Sequence, residues 1–132
     1  MAEYTFDVQK LYIEMLLADA ESFARAQNIF KPESFDRKLQ PIAKFVKDYM
    51  DEYKVMPEVE IVNAQFDVKL KSAKDLDPSH FNWLLDEFET FSRHKALERA
   101  ILQSADMLEK GDYAPVEDMV KDAVNVGLTR DL

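Results

Sequence analysis

Two histidines, His80 and His94, are the side chains best suited to metal ligation or proton transfer near neutral pH. A carboxylate-bridged metal bundle needs Glu-x-x-His pairs on facing helices, but the residues three places before them are Asp77 and Phe91. Both histidines therefore read as surface or hydrogen-bonded residues. The acidic pairs Asp51-Glu52 and Asp86-Glu87 sit at adjacent positions, which diverge on a helix, so neither pair can share a proton. Residues Asp106 to Asp118 lack the alternating ligands and central glycine of a calcium loop. The chain has two glycines, Gly111 and Gly127, too few for a phosphate-cradling loop, a dinucleotide fingerprint or a nucleophile elbow. With no cysteine there is no disulfide, thiol nucleophile or thiolate metal site. Metal, cofactor and nucleotide chemistry are not expected, and no catalytic residue is assigned.

Charge narrows the field further. The 132 residues carry 17 Lys+Arg against 26 Asp+Glu, a net charge of −9, which suits a protein partner better than nucleic acid. Lys44 and Lys47 are helical neighbours near Arg37 and Lys38, yet Asp48 and Asp51 cancel much of their field. Phe81, Trp83, Phe88 and Phe91 fall on one acidic helix and suit burial better than base stacking. Trp83 lies off the Phe81, Leu84, Leu85, Phe88 stripe and is the aromatic expected to meet a partner. Hydrophobic residues make up 47%, enough for a core, and no apolar run is long enough for a membrane span. The absence of cysteine and of a secretory leader points to the cytoplasm.

The elements that position these side chains read as helical throughout. Val8, Leu11, Tyr12, Met15 and Leu16 follow a core-facing stripe. Asp19 is placed to cap a second short helix bearing Phe23 and Ala26, and a loop follows over 28–32. The next helix is expected to start near Leu39 or Gln40, with Pro41 in its first turn, and to stop before Pro57. Pro57 is expected to open a helix that turns Val59, Ile61, Val62 and Phe66 inward and ends by about Val68. Residues 71–77 read as a linker between a head, 1–70, and a helical hairpin, 78–126. Asp77 and Pro78 signal the start of a helix running past Leu108 to Gly111, with its return arm beginning around Pro115. Some thirty residues at about 1.5 Å each give a helix of roughly 45 Å, so part of it must project from the head.

Three segments, "QNIFKPESFD", "LQPIAKFVKDYMDEYKVMPEVE" and "HKALERAILQSADMLEKGDYAPVEDMVKDAVNVGLTRDL", together resemble the N-terminal domain of phage replicative helicases of the DnaB family. The resemblance implies an all-α fold, a compact head followed by a long antiparallel hairpin. It also implies a non-catalytic collar of a hexameric DNA helicase, whose hairpins pair between subunits and which receives primase. ATP and magnesium would belong to a motor domain outside this sequence, and DNA contact by the collar would be weak or indirect. Carried over, Leu97, Ile101, Leu102 and Leu108 on the outgoing helix and Val116, Met119, Val120, Ala123 and Val124 on the return supply the hairpin core and pairing surface. Residues 127–132 would begin the linker to the motor, with Leu132 read as a cut inside a longer chain. The alternative is a complete small acidic phage protein that binds a host protein or mimics DNA.

Overall fold

The computed structural model describes residues 4–128, and those residues are helical with no strand. Helix α1, Phe6–Ala18, is capped by Thr5, whose hydroxyl accepts the Val8 N–H. It runs through the middle of the head, buried on nearly every side from Tyr12 to Leu17. Two polar residues on this buried helix are satisfied by distant backbone: Gln9 Oε1 accepts the Asp36 N–H and Glu14 Oε2 accepts the Lys71 N–H, each at 2.6 Å. They tie the two long loops of the head to its central helix.

Helix α2, Ala20–Ala26, begins at the expected cap, with Asp19 accepting from the Ser22 N–H and hydroxyl. Short 3-10 turns, Gln27–Ile29 and Pro32–Ser34, lead into α3, Gln40–Tyr53, with Pro41 in its first turn. Helix α4 is shorter than its sequence suggests, Val59–Asn63. It starts after Pro57 and stops five residues before Val68 because the Asn63 amide competes for backbone. That side chain donates to the Leu70 carbonyl at 2.8 Å and accepts the Leu70 N–H at 2.7 Å, while Lys69 Nζ takes the Asn63 and Phe66 carbonyls. Val62 is buried as expected, but Ile61 faces outward.

Helix α5, His80–Glu109, starts two residues later than the Asp77-Pro78 pair suggests. Asp77 instead closes the preceding turn: its carboxylate accepts the Ser79 N–H, which holds its carboxyl below the usual range, and its carbonyl accepts the His80 N–H. Helix α6 follows at Ala114–Val124. Residues 71–77 carry no helix, yet they do not divide the core. Leu70 and Ala73 are buried, and Leu84, Leu85, Phe88 and Phe91 of α5 pack with Tyr12, Phe30, Phe35 and Leu39 in the same cluster. The rings of Phe35, Phe88 and Phe91 stand 5.5–6.2 Å apart beside Tyr12, so these aromatics are core and not stacking platforms. The first half of α5 is thus a wall of the head, and its second half projects.

Candidate assembly surface

The projecting half of α5 turns back through a tight C-terminal cap. Gly111 sits at φ +77°, its N–H donates to the Leu108 carbonyl, and the Asp112 N–H reaches the Met107 carbonyl at 2.9 Å. This six-to-one closure satisfies two orphan carbonyls and needs a left-handed residue, which glycine supplies without a Cβ clash. Pro115 in the first turn of α6 then suits a position whose N–H would be free anyway.

Small residues hold the two arms together. Ala100 and Ser104 of α5 and Ala123 of α6 are buried, with Met107, Val116 and Met119 half-buried beside them. Most of the larger residues assigned to the hairpin core and pairing surface lie outside that interior. Ile101 is 64% exposed, Leu102 68% and Val124 52%, and Leu108 and Val120 are also exposed, while Leu97 is half-buried. Their absence from the hairpin interior follows from its thinness: two helices crossing at alanine and serine leave room only for the residues directly between them.

Helical geometry sorts these exposed groups. At about 100° per residue, taking Ala100 as the contact direction, Leu97, Ile101 and Leu108 all lie toward one flank of α5. On the antiparallel return, taking Ala123 as the contact direction, Val120 and Val124 turn toward the same flank of the hairpin. Leu102, about 200° from Ala100, points away from the return arm. Five of the assigned residues therefore make one lateral apolar stripe, and Leu102 does not join it.

The base of the hairpin is fastened to the head. Arg93 Nε donates to the Val126 carbonyl at 3.0 Å, the Leu128 N–H donates to Glu89 Oε2 at 2.8 Å, and Asn28 donates to the Gly127 carbonyl at 2.9 Å. A Cβ on Gly127 would stand 3.0 Å from Glu89 Oε2, so glycine permits this close approach. Leu128 is buried in the head core, so the chain is docked as far as Leu128. Thr129 to Leu132 lie outside the described residues. Higher up, Arg99 donates to the Ser34 hydroxyl at 2.9 Å and braces α5 against the head.

The remaining sequence candidates are dispersed. Trp83 is 45% exposed with its ring 6.3 Å from that of Tyr12, so it is half seated in the head and half available. His94 lies beside the Tyr4 ring and 3.6 Å from Glu98, and His80 is exposed at the start of α5. Lys44 pairs with Asp48 at 2.7 Å, as the charge pattern suggests. Among the described residues no group of three or more His, Asp or Glu could hold a metal ion, and no helix is long and apolar enough to cross a membrane. Comparison with known protein families, curated proteins and solved structures finds no match to this chain.

Proposed function

We propose that this chain is an assembly domain, the non-catalytic collar of a DnaB-type hexameric replicative helicase, which joins subunits through its hairpin and helps recruit primase. The observation that carries the reading is the lateral stripe of half-buried Leu97 and exposed Ile101, Leu108, Val120 and Val124 on a hairpin whose base is fastened to the head. Monomeric proteins seldom expose such a stripe without a partner to cover it. Burial on a second hairpin yields about 25 cal/mol per Å² before the ordering costs of association. The resemblance in the three quoted segments supplies the identity of the assembly, including the primase and the motor domain that would supply ATP hydrolysis.

The domain's own role is mechanical: it sets the spacing of subunits while the braced base of the hairpin transmits that spacing to the head. Sedimentation equilibrium tests the reading. Concentration-dependent mass that falls to the monomer when Val120 and Val124, both exposed on the stripe, are replaced by glutamate supports it. Association that persists unchanged in that variant, or a strict monomer when the chain is joined to its motor, contradicts it.

A further inference from the structure

A second surface, on the side of the head formed by α3 and α4, has a different chemistry. Phe45, Tyr49 and Tyr53 recur every four residues and so share one face of α3. Their rings form a continuous series, with centroids 5.9 Å apart for Phe45 and Tyr49 and 4.6 Å for Tyr49 and Tyr53; Phe66 closes the inner end at 5.8 Å from Phe45. Ile61, exposed on α4, forms the facing wall of an open groove of about 410 Å³. Two carboxylates, Asp48 and Glu52, line the same groove, again four residues apart. Lys44 pairs with Asp48, whereas Glu52 is in no ion pair among the described residues. Tyr53, at the outer end, is 57% exposed.

We propose that the α3–α4 groove docks an arginine-bearing segment of a second, basic protein. A guanidinium stacks on a tyrosine face and pairs with a neighbouring carboxylate at once, and the groove offers both in a single row. A purely apolar helix would strip water from Glu52 without compensation, and phosphate would meet like charge. A second copy of this chain is opposed by the net charge of −9, although its one adjacent basic pair, Arg37-Lys38, lies on an exposed loop and is the competing occupant. The inference stands apart from the hairpin, because it uses none of its residues.

An amide-resolved NMR titration of the whole chain with an amidated hexa-arginine peptide tests it, with hexalysine as the comparator. Saturable shifts are expected at Phe45, Tyr49, Tyr53 and Ile61. Tyr53→Leu keeps the apolar bulk and removes the ring; it should weaken hexa-arginine about threefold or more and hexalysine by less, since an ammonium has no planar face to stack. The Tyr53 ring is exposed, so unchanged resonances elsewhere will verify the fold. Shifts spread evenly over acidic residues on other faces, equal affinity in Tyr53→Leu, or no saturation would overturn the proposal. So would groove resonances that move with the chain's own concentration, since a second copy would then be the occupant.

Discussion

The backbone N–H of Leu128 donates to Glu89 Oε2 at 2.8 Å, joining residues 39 positions apart and closing the chain back onto the head-packed half of α5. The bond fixes where the hairpin's return arm ends relative to the head, and the buried Leu128 side chain reinforces it. Leu128→Ala should lower stability by about 2–3 kcal/mol, because it removes a buried side chain that the core can only partly refill. Urea denaturation measures this. A change below about 0.5 kcal/mol, the size typical of a surface substitution, would show that the docked segment contributes little.

Tyr12 supplies a pH-dependent test of the core. It is fully buried, its hydroxyl has no hydrogen-bond partner in the structure, and its pKa is pushed from 10.0 to about 12 by burial, with the charges of Glu87 and Tyr4 adding to the effect. The fold holds this phenol neutral, so stability is at its full value below the unfolded pKa and falls from pH 10 to about 12, where the unfolded chain releases its proton first. Tyr12→Phe should flatten that fall, and at pH 7 it should be neutral or raise stability by up to about 1 kcal/mol by removing an unpaired buried hydroxyl. Denaturation series at pH 7 and across pH 10–12 check both statements; an equally steep fall in the variant would assign the titration to other groups.

Two left-handed residues end helices, and they predict opposite responses. Gly111 at φ +77° closes α5, whereas Lys54 at φ +61° closes α3 with its N–H on the Met50 carbonyl. Gly111→Ala should cost about 1–2 kcal/mol and Lys54→Gly should stabilise by about 0.5–1 kcal/mol, since a Cβ is penalised in this conformation. Thermal unfolding of the two variants gives the signs directly. A loss in Lys54→Gly would mean that the Lys54 side chain, whose Nζ takes the Asp51 carbonyl, outweighs the backbone strain.

The parts of this fold legible in the sequence are those governed by local rules. Asp19 announces α2, Pro41 marks the first turn of α3, and Gly111 marks the turn of the hairpin, because caps, proline and left-handed glycine act within a few residues. What the pattern misplaces depends on distant groups. The end of α4 is set by Asn63 reaching Leu70, and the continuity of the core past 71–77 is set by α5 packing on α1 and the Phe30–Phe35 segment. Apolar spacing alone also could not divide the hairpin residues: it marks Ile101 and Ala123 equally, while only the second lies between the two arms. The docking of Leu128 left no sequence signal beyond its being a leucine after Gly127. The aromatic side of the α3–α4 groove is a four-residue repeat in the sequence, yet that repeat reads equally well as core until Tyr53 and Ile61 are seen to be exposed.

The central claim is that hairpins pair through one flank, and cysteine cross-linking tests it most directly because the chain contains no native cysteine. Ile101→Cys and Val124→Cys place a thiol on the lateral stripe, and Leu102→Cys places one on the outer face of α5, away from the return arm. Under mild oxidation the account predicts covalent dimers from one or both stripe variants and none from Leu102→Cys at equal protein concentration, since a disulfide forms only when Cα atoms approach within about 7 Å. Equal cross-linking from all three variants, or cross-linking from Leu102→Cys alone, would contradict pairing through that flank.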